Sequence, residues 1–141
     1  MKNLLNLLVM LALLPCLGAA ELEVIVTGLA HPRGQVIVAV WTSKETFLKT
    51  PARSLPAEID PRTLTARVHF TGLPDQPFAV SAFHDENGNG VLDTNFLGIP
   101  KEPVAFAHNA KGRLGPPDYA QAVIVPAEQK GPLTLNLGAA H

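Results

Sequence analysis

The chain has a single cysteine, Cys16, one tryptophan, one tyrosine and only 16% charged residues. One thiol cannot make an internal disulfide framework, and Cys16 lies in a segment expected to be removed, so thiol chemistry is excluded from the mature protein. The formal net charge is −1 and no run of Lys or Arg occurs. This argues against nucleic acid as a partner. The sequence also lacks a G-x-S-x-G elbow, a Walker A loop and an H-E-x-x-H pair. Ser43, Ser54 and Ser81 have no recognisable base nearby, so no catalytic residue is assigned.

Long apolar runs are also scarce. The longest is Leu4 to Leu14, broken only by Asn6, and it is too short to span a bilayer. It follows the basic start Met1-Lys2-Asn3 and precedes Gly18-Ala19-Ala20, with small residues at the −3 and −1 positions before Glu21. That is the layout of a secretory signal peptide, expected to be cleaved after Ala20. The alternatives are lipid attachment at Cys16, disfavoured by Pro15 before it, and an uncleaved anchor. The expected mature protein, residues 21–141, is periplasmic or secreted and spans no membrane. About 120 residues form one domain that buries roughly two-thirds of its unfolded surface.

What the sequence has in quantity is short alternating segments divided by its 11 glycines and 13 prolines. Glu21 to Thr27 places Leu22, Val24 and Val26 on one face. After a turn over Gly28 to Gly34, Gln35 to Thr42 carries Val36, Val38 and Val40 on one face and Ile37, Ala39 and Trp41 on the other. Thr65 to Gly72 alternates Ala66, Val68 and Phe70 with Arg67 and His69, and Phe78 to His84 follows the turn at Leu73 to Pro77. Val104 to Ala107, Tyr119 to Val125 and Leu133 to Leu137 read as further strands. About seven short strands predict an all-β fold, an antiparallel β-sandwich. Ser43 to Lys49 is the one helix candidate, with Ser43 as a cap. The second strand is apolar on both faces, so something must cover its outer face. The long Pro/Gly-rich excursion from Thr94 to Asp118 is the candidate, with its first half pinned by Phe96, Leu97, Ile99 and Phe106.

The densest chemistry lies at Asp85-Glu86-Asn87-Gly88-Asn89-Gly90-Val91-Leu92-Asp93. Asp85, Asn87, Asn89 and Asp93 occupy positions 1, 3, 5 and 9 of a calcium-wrapping loop, with Gly90 at the sharp turn of position 6. Calcium takes six to eight oxygen ligands, and alternate residues of a curled loop can supply them. Val91 would add its backbone carbonyl, and Leu92 an apolar anchor. Position 12 is Phe96 rather than Glu, so another carboxylate must close the shell; Glu102 is the first choice and Asp118 the second. The rival is a plain turn, since Asn-Gly occurs twice and is a strong hairpin signal. A bound calcium here would be structural.

The string from His84-Asp85-Glu86-Asn87-Gly88-Asn89-Gly90 through Leu92-Asp93-Thr94-Asn95-Phe96-Leu97-Gly98-Ile99-Pro100-Lys101-Glu102 resembles a widespread bacterial family of small exported proteins known as a domain of unknown function. Gly72-Leu73-Pro74, Phe78-Ala79-Val80 and Gly115-Pro116-Pro117 extend the likeness over nearly all of residues 21–141. Pro103 and Ala107 depart from the residues usual in that family. The resemblance implies an exported β-sandwich of transthyretin or immunoglobulin-like type, with no reaction attached.

The histidines offer a second line. His84 has the parity of Phe78, Val80 and Ala82, and reads as a core-edge residue bonded to a loop carbonyl. It could instead serve as a metal ligand or as a general base beside a carboxylate. His69 has exposed parity; His31, His108 and His141 lie in turns or at the terminus and show no ligand spacing with one another, which argues against zinc. Two functions follow. One is a binding or interaction module that meets a protein, an envelope component or a small ligand through residues 94–118. The other is a small periplasmic hydrolase using His84 with Asp85 or Glu102, which would need a concave site around His84.

Overall fold

The structure, a computed structural model, describes residues 20–140; of the expected signal peptide only Ala20 falls inside that range. Its strands are β1 (Ala20–Thr27), β2 (Gln35–Trp41), β3 (Arg53–Ala57), β4 (Ile59–Asp60), β5 (Thr65–Leu73), β6 (Phe78–Asp85), β7 (Val104–Phe106), β8 (Val123–Ile124) and β9 (Leu133–Asn136). One sheet runs β4-β5-β1-β9; the other runs β3-β2-β6-β7, with β8 also paired to β6. The pairings are antiparallel except β1 with β9, which is parallel. The fold is an all-β sandwich.

Period-two alternation explains how the two sheets meet. Leu22, Val24 and Val26 stand opposite Phe70, Val68 and Ala66 across the β1–β5 ladder. Val36, Val38 and Val40 stand opposite His84, Ala82 and Val80 across β2–β6. These two rows face each other and all belong to the buried interior. Phe70, Phe78 and Leu73 are sealed within it. Each such side chain contributes about 1.5–3 kcal/mol by leaving water.

The outer face of β2 is covered, but not as expected. Ala39, Trp41, Ala79, Phe106 and Ala122 form a second apolar cluster, with Phe47, Tyr119 and Val123 packed against it. Phe47 is the hub, lying 5.7 Å from Trp41, 6.1 Å from Phe106 and 5.6 Å from Tyr119, ring centre to ring centre. The Trp41 indole N–H donates to Ser81 Oγ at 2.9 Å, which satisfies the polar atom this layer would otherwise strand. From the Thr94 to Asp118 excursion the cover comes from Phe106, with Ala110 partly buried beside it. Phe96, Leu97 and Ile99 are instead exposed, at 96%, 69% and 55%. Their segment is tied to the Asp85–Asp93 loop rather than to the sheet, so it cannot reach β2.

Two local expectations also change. Tyr119 to Val125 is not one strand: Tyr119–Ala122 is a 3-10 turn and only Val123–Ile124 pairs with β6. The Asp118 backbone N–H donates to Gln121 Oε1 at 2.8 Å, a local bond that curls the chain after Pro116-Pro117. Ser43 to Lys49 forms hydrogen-bonded turns rather than a regular helix, with Ser43 Oγ accepting the Thr46 N–H at 3.3 Å. Leu48 sits at φ 61, which breaks helical continuity.

Candidate functional site

The end of β6 delivers two polar residues to opposite sides. His84 lies on the core-facing row opposite Val36, and Asp85 pairs with Gln35 at the mouth of β2. Both are buried, at 1% and 0% exposure. Past Asp85 the chain leaves the sheet and curls into the loop that ends at Asp93.

Asp85 organises that loop by accepting from three donors. Its Oδ2 takes the Gln35 side-chain amide at 2.7 Å and the Gly90 N–H at 2.8 Å, while Oδ1 takes the Asn89 N–H at 3.2 Å. Charge-assisted bonds of this kind are among the stronger polar contacts of a folded chain. Asn87 and Asn89 close the ring by pointing at Asp93. Asn87 Nδ2 donates to Asp93 Oδ2 at 2.7 Å, and Asn89 Nδ2 donates to both Asp93 oxygens at 3.0 and 3.1 Å. The amide oxygens turn back to the loop's own backbone, Asn87 Oδ1 to the Asn89 N–H and Asn89 Oδ1 to the Val91 N–H.

Glu102 comes to the loop from the excursion. Its Oε1 accepts the Glu86 N–H at 3.0 Å and its Oε2 the Asp93 N–H at 3.1 Å, so one buried carboxylate bridges the two ends of the curl. Asp118, the second choice, is engaged locally instead: its backbone N–H donates to Gln121 Oε1 and its carbonyl accepts the Gln121 N–H. Asp85, Asn87, Asn89, Asp93 and Glu102 are thus gathered into one region. The Val91 side chain is exposed, and Leu92 is half-buried outside the two apolar clusters.

Beyond Asp93 a second, smaller turn stands clear of the domain. Asn95 Oδ1 accepts the N–H groups of Leu97 and Ile99 at 2.9 and 3.0 Å. The Asn95 N–H donates to the Ile99 carbonyl at 2.9 Å, and the Lys101 N–H to the Asp93 carbonyl at 2.8 Å. Thr94 and Pro100 form a bridge across its base. Phe96, Leu97 and Ile99 are therefore held by a polar scaffold and presented outward.

His84 is positioned from behind. Its Nε2 lies 2.6 Å from the Arg33 carbonyl oxygen, a loop-carbonyl bond as its parity suggests. Neither Asp85 nor Glu102 contacts its ring; both are committed to the donors named above. The turn before β2 approaches because Gly34, at φ +75, lets the backbone pass against the carbonyls of Asp85 and Glu86, where any Cβ would collide. That approach sets His31 against His84, with ring centres 4.7 Å apart. Sequence spacing does not reveal this neighbour, since residues 31 and 84 meet only through the β2–β6 pairing. A cleft of about 550 Å³ opens nearby, lined by Arg33, Glu86, Asn87, Asp93, Thr94, Lys101 and Glu102. It is rimmed by charges of both signs.

Burial, and then the negative charge of Glu45, push the Tyr119 phenol above its ordinary value. Among the described residues, no helix is long and apolar enough to cross a membrane.

Residues 24–132 match the model of a family described as an uncharacterized protein conserved in bacteria (DUF2141). No curated protein and no solved structure matches the chain. With 109 consecutive residues covered, the chain belongs to this family of unknown function.

Proposed function

We propose that this member of the DUF2141 family is a periplasmic or secreted interaction module. Its binding element is the turn bearing Phe96, Leu97 and Ile99. The observation that carries the reading is the coexistence of apolar exposure with local order. Three large apolar side chains face water at one tip, yet the tip is fixed by two N–H groups converging on Asn95 Oδ1. An exposed apolar cluster on an ordered loop is a common mark of a binding surface. The occupant is the apolar surface of a partner protein or envelope component, which a convex tip can enter.

In the same proposal the Asp85–Asp93 loop takes a structural calcium ion. Supporting it are a carboxylate at each end of the curl, two amides between them and Glu102 against both ends. The ion requires Asn87 and Asn89 to rotate their amides so that Oδ1 points inward, releasing the bonds to the Asn89 and Val91 N–H groups. The Val91 carbonyl is the remaining chain ligand. Few formal charges mean weak affinity, with a dissociation constant of about 10⁻⁴–10⁻³ M, suited to an extracellular module.

The tip is tested by placing a photo-crosslinking amino acid at position 96 in the exported protein and irradiating intact cells. One dominant adduct is expected, lost when Leu97→Ser and Ile99→Ser are combined. Absence of any adduct, or the same adducts from a probe at the exposed position Thr71, would contradict the reading.

A further inference from the structure

Side chains alternate in direction along the start of the loop, and Glu86 is the one that does not join its interior. Asp85, Asn87 and Asn89 turn inward, whereas Glu86 turns toward the Gly28–Gly34 turn. There its Oε1 lies 3.4 Å from His31 Nε2 and 3.9 Å from His84 Nδ1. One donor atom from each of the three residues lies within 4.8 Å of the others. We propose that His31 Nε2, His84 Nδ1 and Glu86 Oε1 form a binding site for a divalent transition-metal ion of the zinc class, separate from the calcium loop on its other side.

Three observations converge on this assignment. The first is spacing. Ligands at zinc distances in a tetrahedron stand about 3.3–3.5 Å apart; the two edges at Glu86 are 3.4 and 3.9 Å, and all three donor atoms lie within 4.8 Å of one another. Small side-chain movements close the set, and Glu86, 39% exposed, has the freedom to make them.

The second is the tautomer of His84. A backbone carbonyl can only accept, so the 2.6 Å contact with Arg33 O places the imidazole proton on Nε2. Nδ1 is left with its lone pair directed at the cluster. A ligating histidine that donates its other N–H to a backbone carbonyl is the usual outer arrangement of a metal site, and here it is already in place in a ring that is 1% exposed. His31 is set less firmly: ligation through Nε2 moves its proton to Nδ1 and gives up a long 3.3 Å bond from the Arg33 N–H.

The third is backbone construction. The cluster exists because Gly34 permits the close approach of two strand ends, and because the Glu86 N–H is anchored on Glu102. Two imidazoles and one carboxylate suit zinc or copper rather than calcium, which prefers an all-oxygen shell. Three protein ligands leave one coordination position, and the exposed side of Glu86 opens it to solvent.

Calorimetric titration of the mature protein with zinc chloride, with calcium in excess, tests the site. One zinc per chain is expected. His31→Ala and Glu86→Gln should each weaken binding at least about tenfold, since the loss of even an outer partner of a ligand costs that much. His69→Ala should leave it unchanged. Cobalt should give visible absorption bands that zinc displaces. The absence of saturable binding, or wild-type affinity in His31→Ala, would overturn the proposal. His31 lies in a turn, so its variant reports on the metal even if His84 variants fail to fold. Zinc is titrated with calcium already in excess, and the calcium loop is read separately by calcium-dependent stability, so failure of one site is distinguishable from failure of the other.

Discussion

The Asp85–Asp93 loop and the Phe96–Ile99 tip are consecutive, and both are shaped by side-chain oxygens accepting backbone N–H groups. Their exposed chemistry is opposite. The loop turns polar groups inward around a buried carboxylate, while the tip has a half-buried asparagine at its centre and puts its apolar groups outside. Apolar residues ordinarily end in a core because burying them stabilises the fold. Here the neighbouring loop and Asn95 carry the order, and Phe96, Leu97 and Ile99 contribute little to it. Stability of the fold does not account for the exposure of those three side chains; the contact proposed above would.

This contrast can be broken by substitution. The largest effect is expected for Asp85→Ala, which strands three donors, two of them part-buried backbone N–H groups. Urea unfolding should show a loss of about 3 kcal/mol or more. Gly34→Ala should follow, at about 1–3 kcal/mol, because the added Cβ meets the carbonyls of Asp85 and Glu86 at a positive φ. Glu102→Gln retains one acceptor oxygen and loses the other, so about 1–2 kcal/mol is expected from the same measurement.

A smaller effect concerns pH. The Tyr119 phenol is held above its ordinary value of 10.0, first by burial and then by Glu45, so folding favours its neutral form. The associated stability is fully present below the unfolded value and is lost as pH rises through the raised one. The urea midpoint should fall only as pH rises above about 10, and Tyr119→Phe should flatten that fall. The smallest effect belongs to the tip. Phe96→Ser combined with Leu97→Ser should change stability by no more than ~0.5 kcal/mol. A large loss there would mean that the tip packs on the domain and is not free to bind.

Much of the sandwich was legible because it rests on period-two alternation. Leu22, Val24, Val26, Ala66, Val68 and Phe70 read directly as facing rows. The strand β3 was hidden because Arg53-Ser54-Leu55-Pro56-Ala57 has one large apolar residue and a proline. An edge position tolerates both, since Pro56 needs no N–H on its free side. The Tyr119 turn was misread because alanine and tyrosine suit either geometry, and only the Asp118–Gln121 bond decides between them. At the site, the gathering of Asp85, Asn87, Asn89 and Asp93 was legible from local spacing. The meeting of Glu102 with the loop was a reasoned choice of carboxylate. His31 beside His84 was out of reach, because it depends on which strand pairs with β2.

Of the features proposed to set loop against tip, the calcium ion is the one most open to direct measurement. Scanning calorimetry of residues 21–141 in about 10 mM calcium should raise the unfolding free energy by about 1.4–2.7 kcal/mol over a chelator control, given ten to a hundred times the dissociation constant. Asp93→Asn should fold normally and lose the increment. Superimposable scans with calcium and with chelator would show that the loop holds its shape by hydrogen bonds alone, contradicting the calcium clasp.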